Sequence, residues 1–391
     1  MRHYMHIDEN KLEEVFFLKP SFFNSKTEKN SLRFALGATL YMPGTKYIAP
    51  YLLEKRYSHL TSYTMCFEDS IREKDLEIAE RTVLNTLRTL KMAEDENRID
   101  LDELPLFFIR VRNPEQFENF FNKLKNEHYL LNYISGFVFP KFSTLNAHKY
   151  ISILEEVNTY NNSIYGMPIL ESSEIILIEK RNEELLNLKA LLSEKKDLIL
   201  NIRVGGTDLS SIFGLRRSVA MSIYDLGVVA SGLYNIINVF SDLAINDVAI
   251  SGVVWEYFNS KFKNSFEDDY SKRNLNFNEE KILARTPLTN NPALDGLIRE
   301  VILDKSNGFV GKTVIHPAQT SIVNAMYCVT LEEYVDAKFI LDNFNNGGVY
   351  KSTSNNKMNE ISPHYNWAKK IMDLASIYGV LNSNYSYLDL F

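Results

Sequence analysis

Short apolar segments alternate with longer amphipathic segments along most of the chain. The short segments have the length of β-strands and are bounded by glycine, proline or charged residues: 34–42, 62–67, 104–111, 133–140, 165–170, 198–204, 247–255 and 311–317. The longer segments place apolar residues on one helix face and predict helices over 75–95, 114–127, 173–195, 218–240, 330–344 and 365–381. Eight buried strands alternating with helices favour an α/β fold, and this number of strands favours a (β/α)8 TIM barrel over a doubly wound sheet.

Two segments interrupt this alternation. Residues 258–281 are charged and weakly periodic, which predicts a surface insertion after the seventh strand, and residues 345–364 have the composition of a polar linker. We therefore expect an N-terminal extension over 1–32, the barrel with its insertion over 33–344, and a C-terminal helical extension over 345–391. We expect this last part to be a linker and a closing helix that serve as a lid or an oligomerisation segment.

Composition and charge exclude several classes of protein. The chain has 391 residues, of which 45% are hydrophobic and 24% charged, so it is not a disordered protein. Its net charge of −7 argues against a nucleic-acid surface. No apolar run is long enough to cross a membrane, and the polar N-terminus lacks the apolar core of a signal peptide. Two cysteines, Cys66 and Cys328, form neither a disulfide framework nor a zinc cluster. We expect a cytoplasmic protein without nucleic-acid or membrane partners.

Charged residues follow several predicted strands at their carboxyl ends, where the active sites of such barrels lie. Glu68 and Asp69 follow the second strand, Glu171 the fifth and Asp208 the sixth, while Arg110 ends the third. Oxygen ligands without nearby cysteine or clustered histidine select Mg²⁺, with Mn²⁺ as the alternative, over zinc or copper. The combination predicts a site for a hard divalent cation and an anionic substrate.

Each of these residues also has a purely structural explanation. Glu171 fits the first turn of a helix, where its charge stabilises the helix dipole, and Asp208 fits a turn. Arg110 and Arg112 share a strand face, so one of them has an alternative role in a structural ion pair. Glu68 and Asp69 fit a solvated helix start, and His316 fits a packed histidine. Only the joint placement of these residues favours the functional interpretation.

Short motifs occur in a fixed order along residues 33–381: LYMPG (40–44), FEDS (67–70), IRV (109–111), FPK (139–141), LES (170–172), GGTDLS (205–210), GKTVIHPAQ (311–319) and GGVYKSTSNNKMNEISP (347–363). In this order they resemble the motifs of the citrate lyase β-subunit-like branch of the HpcH/HpaI aldolase superfamily. The nearest resemblance is to the C–C bond lyase group associated with tellurite-resistance gene clusters. The chain departs from the family motifs at Cys66, Arg112, Ser172, Asn356 and Glu360, which leaves the substrate open.

The resemblance implies a Mg²⁺-dependent barrel that makes or breaks a C–C bond beside a 2-oxo acid. It implies that Glu171 and Asp208 are the metal ligands, and that Arg110 binds the substrate carboxylate or the developing enolate. Glu68 and Asp69 are implied as catalytic groups that act through metal-bound water. The implied contacts to the substrate are Pro43, Gly44, Lys141, Gly206 and His316.

In that family the C-terminal segment packs over the barrel mouth of a neighbouring subunit. The resemblance therefore implies a homo-oligomer, a trimer or a hexamer, in which Glu360 is a catalytic acid or base. The implied substrate is an oxaloacetate-, pyruvate- or glyoxylate-like 2-oxo acid, or an acyl thioester. Two alternatives stay open at this point: an enzyme on the same barrel that uses phosphoenolpyruvate or pyruvate, and a catalytically silent protein that binds an oxo acid.

Overall fold

The computed structural model describes residues 1–56, 58–161, 163–258, 277–352 and 356–391. Its main feature is a sheet of eight parallel strands. The strands are β1 (Ala38–Pro43), β2 (Ser62–Cys66), β3 (Leu106–Arg110), β4 (Gly136–Phe139), β5 (Tyr165–Leu170), β6 (Asn201–Val204), β7 (Ala249–Ser251) and β8 (Lys312–Val314).

The strands follow one another around the sheet in chain order, and β8 pairs with β1. A parallel bridge between Gly252 and Lys312, with the Gly252 N–H donating to the Gly311 carbonyl at 2.9 Å, closes the ring between β7 and β8. The predicted (β/α)8 barrel is therefore confirmed. Seven of the eight strands fall within their predicted segments, and β1 extends one residue beyond its segment, to Pro43.

The helices surround this barrel, and most of them bury the apolar face that the sequence pattern predicts. Their bounds are α1 (Glu9–Val15), α2 (Lys29–Ala35), α3 (Ala49–Leu53), α4 (Leu76–Asp95), α5 (Pro114–Lys125), α6 (Ala147–Asn158), α7 (Ser173–Ile176), α8 (Ile178–Glu194), α9 (Gly206–Ser211), α10 (Gly227–Val239), α11 (Ser241–Asn246), α12 (Glu279–Leu283), α13 (Pro292–Ser306), α14 (Thr320–Met326), α15 (Leu331–Asp342) and α16 (Ile361–Tyr378). No helix in these described ranges is both long and apolar enough to cross a bilayer.

Local signals explain why particular helices begin where they do. The Asn113 side chain accepts a hydrogen bond from the Gln116 N–H, and Pro114 takes the first position of α5, where a missing N–H costs nothing. Thr330 and Glu333 form a reciprocal capping box at the start of α15. In α4, the buried residues Val83 and Leu87 belong to the predicted apolar stripe.

Three predicted elements differ from the structure. The first strand begins only at Ala38, because the preceding residues belong to α2 and Gly37, with φ of +51°, turns the chain between them. The helix predicted over 173–195 is divided into α7 and α8, since Leu177 has an extended backbone. The helix predicted over 218–240 begins only at Gly227, after a short 3₁₀ turn that Ser222 caps.

The polar linker predicted over 345–364 is wrong for its central part. Strands Val349–Lys351 and Met358–Glu360 pair there as an antiparallel hairpin. The Asn359 side chain donates to Asp336 of α15 at 2.8 Å, and Lys357 forms an ion pair with Asp336 at the same distance. Polar composition hides this hairpin, because its hydrogen bonds and its buried contact with Asp336 replace an apolar face.

The N-terminal extension and the end of the chain are joined in the structure. Strand Phe16–Leu18 pairs antiparallel with Val380–Leu381. The Tyr378 hydroxyl donates to the Phe34 carbonyl at 2.7 Å, and the His3 ring stacks on the Tyr378 ring with centroids 4.4 Å apart. Most of the predicted insertion over 258–281 lies outside the described residues, and its end forms α12. The domain boundaries themselves stay a prediction.

Candidate active site

Charged side chains from neighbouring strands converge on Arg110 at the carboxyl end of β3. The Arg110 Nη2 atom lies 2.6 Å from Glu68 Oε2 and 3.2 Å from Asp69 Oδ2, which both follow β2. The same nitrogen lies 3.3 Å from Glu171 Oε1, directly after β5. The Glu171 side chain is 2% exposed and that of Asp69 is 56% exposed. The site therefore holds a buried cation between two buried carboxylates and one that reaches solvent.

Lys141, after β4, joins this cluster through both its side chain and its backbone. Its Nζ lies 2.6 Å from Glu68 Oε1, and its backbone N–H donates to Glu171 Oε1 at 2.9 Å. The residue has φ of +49°, a left-handed conformation that is strained for a residue other than glycine. The Asn146 side chain donates to the Lys141 carbonyl at 2.9 Å and so holds this conformation. The strained backbone is what aims the N–H at Glu171.

Two glycines at the start of α9 permit close packing of its first turn. A Cβ atom added to Gly205 would lie 2.5 Å from the Glu171 Cβ and closer still to its carboxylate. A Cβ added to Gly206 would lie 2.8 Å from the Val253 side chain. Because Gly205 lacks a side chain, the first turn of α9 approaches Glu171, and this turn contains Asp208, whose charge acts on Glu171.

Burial and charge shift the pKa values of these carboxylates in different directions. Burial raises the pKa of Glu171 to about 7, and the negative charge of Asp208 adds to this rise while Arg110 opposes it. Burial, followed by hydrogen bonding with Glu68, raises the pKa of Asp69 to about 6. Burial also opposes ionisation of Glu68, but hydrogen bonding with Asp69 and the two nearby cations outweigh it and lower the pKa of Glu68. The cluster thus combines an ionised carboxylate with two that hold protons more tightly.

The pair Glu171 and Asp208 fits a hard divalent cation. The part of the chain that the structure describes contains no group of three or more His, Cys, Asp or Glu arranged for a metal ion. Mg²⁺ does not require such a group, because one or two carboxylates suffice when water and substrate oxygens complete its coordination. Burial is the main cause of the raised pKa of Glu171, and the repulsion from Asp208 that adds to it is an interaction that a bound cation would relieve. The donor chemistry therefore agrees with the predicted metal, although the ligand assignment stays a prediction.

The sequence matches a family model of C–C bond lyases of the TIM-barrel fold over residues 30–380. The chain belongs to this family. Comparison with curated protein sequences gives no match.

Solved structures share the barrel of this lyase. The CitE protein of Mycobacterium tuberculosis, in complex with magnesium, acetoacetate and coenzyme A, is 14% identical, with a TM-score of 0.50 over 88% of this chain and 99% of that chain. The citrate lyase β subunit of the same organism, with oxaloacetate and magnesium, is 14% identical, with a TM-score of 0.44 over 76% of this chain and 99% of the other. Malate synthase of Haloferax volcanii, with magnesium and glyoxylate, is 11% identical, with a TM-score of 0.45 over 73% and 74%. At 14% identity and a TM-score of 0.50, the likeness to the CitE protein shows the fold alone.

The loop after β1 of the lyase borders the carboxylate cluster. Pro43 ends β1, and the Gly44 N–H donates to the Cys66 carbonyl at 2.8 Å. A Cβ atom added to Gly44 would lie 2.7 Å from the ring of Phe67, which precedes Glu68. The predicted substrate contacts Pro43 and Gly44 therefore lie beside the cluster, as Lys141 and Gly206 do.

His316 lies apart from these residues. Its ring stacks on Phe258 with centroids 4.9 Å apart, and its Nδ1 accepts a hydrogen bond from the Ala318 N–H at 3.2 Å. Burial lowers its pKa, which favours the neutral ring. None of its described contacts joins it to the carboxylates, so its predicted contact with substrate stays a prediction.

Glu360 likewise has no described contact with the carboxylate cluster of its own chain. It lies at the end of the C-terminal hairpin, opposite Val349, and its backbone N–H donates to His364 Nδ1 at 3.1 Å. Its side chain is exposed. Its predicted catalytic role in a neighbouring subunit stays a prediction.

The structure separates the roles of Arg110 and Arg112, which the sequence left open. Arg112 forms an ion pair with Glu73 at 2.8 Å and donates to the backbone carbonyls of Phe67 and Ile71. These carbonyls belong to the loop after β2. Arg112 therefore supports the loop that carries the acidic pair, whereas Arg110 contacts the carboxylates themselves.

One inward-facing residue escaped the sequence analysis. Arg203 of β6 is 2% exposed and donates to Thr313 Oγ1 at 2.6 Å inside the barrel. The sequence does contain an indication of this residue, since Arg203 is a charged residue within the apolar run LILNIRV. It lies inside the strand, however, whereas the candidate residues were chosen at strand ends.

Proposed function

We propose that this lyase is Mg²⁺-dependent and cleaves or forms a C–C bond beside the carbonyl of a 2-oxo acid. The observation that carries the proposal is the buried Arg110 between Glu68, Asp69 and Glu171, at the mouth of a barrel of the C–C bond lyase family. The magnesium and acetoacetate in the related CitE complex agree with it. The metal would be held by Glu171 and Asp208.

The side chains of the cluster have different roles in the proposed reaction. A Mg²⁺ ion bound there supplies Lewis-acid polarisation of the oxo-acid carbonyl. Arg110 stabilises the negative charge that develops on the enolate oxygen, because a fixed cation in a site shielded from water acts strongly on developing charge. Lys141 positions Glu171 through its backbone N–H and neutralises Glu68 through its side chain.

Asp69 is the carboxylate that moves a proton. Both oxygens of Glu68 are occupied, Oε1 by Lys141 and Oε2 by Arg110 and the Asp69 N–H, so Glu68 is a positioning residue. Asp69 is more than half exposed, and its pKa of about 6 lets it hold or release a proton near neutral pH. Its Oδ1 atom lies 3.9 Å from Lys141 Nζ, beyond hydrogen-bond distance, and is the oxygen that we assign to this role.

We propose a homo-oligomer in which the C-terminal hairpin of one subunit covers the mouth of its neighbour. Val349 and Met358 of the hairpin are more than half exposed, and nearby Tyr350 and Phe344 are also exposed. Adjacent exposed apolar side chains are typical of a surface that another chain covers. Glu360, at the end of the same hairpin, would then enter the neighbouring site.

The cytoplasmic location proposed from the sequence agrees with two free thiols, at Cys66 and Cys328.

The metal site is tested with Glu171→Gln and Asp208→Asn, which remove charge at nearly constant shape. Titration calorimetry with Mg²⁺ and pyruvate should detect binding to the parent and none to either variant. Glu115→Gln is the matched control, since Glu115 is exposed on α5 and its carboxylate forms an ion pair with Lys149. Binding by both site variants equal to that of the parent would overturn the proposed metal site. Binding without any C–C cleavage of candidate thioesters would instead favour an oxo-acid-binding protein.

A further inference from the structure

The interior of the barrel contains a cation without an anionic partner. Arg203 lies on β6 and is buried, and it forms no ion pair in the part of the chain that the structure describes. Its Nη2 donates to Thr313 Oγ1 at 2.6 Å and its Nη1 to Thr39 Oγ1 at 3.4 Å, while its Nε has no partner. A guanidinium has five N–H donors, and these two hydrogen bonds use two of them. A buried cation in this state is destabilising unless a charge compensates it.

The buried Arg33 of this chain is satisfied differently, because its guanidinium donates to the backbone carbonyls of Ala244, Ile245 and Val248. Arg181 is an intermediate case: it donates to the Ile176 carbonyl and to Ser231 Oγ, and its Nε has no partner among the described residues. Carbonyls carry partial negative charge and only accept hydrogen bonds. The partners of Arg203 are hydroxyl groups, which compensate its charge less well.

Further polar atoms without partners face the same interior space. In the parallel register Tyr41 is opposite Thr64, and Cys66 is opposite Arg110, so Tyr41, Thr64 and Arg110 point to the same side of the sheet. The Tyr41 hydroxyl, Thr64 Oγ1 and Arg110 Nε are all buried without hydrogen-bond partners. The Arg203 guanidinium carbon lies 5.5 Å from the centroid of the Tyr41 ring. Barrel interiors are usually filled by branched apolar side chains, so a group of unsatisfied polar atoms here requires an explanation.

The barrel mouth gives access to this space. Thr313 faces inward opposite Thr39, yet it is only half-buried, as is Tyr41. The hydrogen bond between Arg203 and Thr313 is itself only partly buried. The interior beside Arg203 is therefore not fully closed to solvent at Thr313 and Tyr41.

We propose that Arg203 and the Tyr41 hydroxyl bind a second carboxylate of the substrate, at the end away from the carbonyl that Arg110 faces. The substrate is then a dicarboxylic oxo acid, with one anionic end at the mouth and the other inside the barrel. This inference rests on the proposed function and adds the residues that select the substrate. The planar donor fork of arginine suits a carboxylate, and the remaining N–H groups provide the hydrogen bonds.

The test compares two ligands of equal carbon number, 2-oxoglutarate and 2-oxovalerate, which differ in the terminal carboxylate. Titration calorimetry of the full-length parent with Mg²⁺ should give at least about tenfold tighter binding of 2-oxoglutarate, as expected for hydrogen bonds to a charged group. In Arg203→Met this preference should disappear, while pyruvate binds as it does to the parent. Arg181→Met is the control and should keep the preference.

Thermal unfolding separates this role from a structural one. Without ligand, Arg203→Met should melt at the same temperature as the parent or higher, because an apolar side chain of similar size replaces an uncompensated charge. A lower melting temperature together with an unchanged ligand preference would show that Arg203 is a structural residue and would overturn the inference. Equal binding of the two ligands to the parent would overturn it too, while leaving the proposed function intact. Absence of Mg²⁺-dependent binding of any oxo acid would overturn the proposed function as well.

Discussion

A single guanidinium, that of Arg110, contacts three carboxylates, so its removal affects the cluster more than the loss of one hydrogen bond would. Arg110→Ala should weaken oxo-acid binding by about 2–5 kcal/mol, since the variant leaves buried charges unpaired. Arg112→Ala is the comparison, and it should lower the melting temperature more than the affinity because Arg112 supports a loop. Calorimetry and thermal unfolding measure the two effects. Unchanged binding by Arg110→Ala would show that this arginine is a structural ion-pair residue.

The raised pKa of Glu171 predicts a dependence of stability on pH in the presence of EDTA. Its folded-state pKa of about 7 exceeds the ordinary value, so the folded protein binds more protons than the unfolded chain between these two values. Stability from this group is therefore complete below pH of about 4.5 and is lost as the pH rises through about 7. The free energy of unfolding, measured with urea and plotted against pH, should fall more steeply for the parent than for Glu171→Gln across this window. Parallel curves would contradict the raised pKa.

The first turn of α9 approaches Glu171, at the end of β5, only because Gly205 lacks a side chain. Gly205→Ala should displace the Glu171 carboxylate and reduce Mg²⁺ affinity about 10–100-fold, the usual effect of disturbing a metal ligand's support. Gly227→Ala is a matched control, because nothing lies within 4 Å of an added Cβ at the start of α10. Calorimetry with Mg²⁺ distinguishes them. Full affinity in Gly205→Ala would mean that Glu171 does not need its observed position to bind the metal.

Substitutions in the C-terminal hairpin test the proposed assembly into a homo-oligomer. Val349→Asp combined with Met358→Asp should reduce the mass measured by light scattering to that of a smaller assembly or a monomer. Ile178→Asp is the control, since Ile178 is 80% exposed at the start of α8, away from the hairpin. An unchanged mass for the hairpin variant would contradict the proposed oligomer. If the assembly dissociates, Glu360→Gln then tests whether that carboxylate serves the neighbouring site.

The stability of the folded protein includes a contribution from the pairing of Phe16–Leu18 with Val380–Leu381. Phe16 is buried in the strand that pairs with Val380–Leu381, whereas its neighbour Phe17 is 56% exposed. Phe16→Ala should lower the free energy of unfolding by about 3–5 kcal/mol, and Phe17→Ala should change it little. Chemical denaturation measures both values. Equal values would show that the N-terminal extension contributes no stability.

Much of the barrel was predictable from sequence because each strand is a short apolar run with clear boundaries. The run over 165–170 matches β5 at both ends, and the stripe in α4 matches its helix. The acidic pair at 68–69 and Arg110 were found because strand ends share one face. Arg203 was missed because its importance comes from what surrounds it: two hydroxyls and no carboxylate. The C-terminal hairpin was missed because its stability depends on Asp336, which lies outside the segment.

The pairing of Phe16–Leu18 with Val380–Leu381 also has a consequence for synthesis on the ribosome. The two partners are separated by about 360 residues of chain, so the second strand is translated long after the first. At roughly 5–20 residues per second, the apolar N-terminal strand waits about 20–70 s for that partner. During this time the strand edge is unpaired, and an unpaired edge is a template for pairing with other chains.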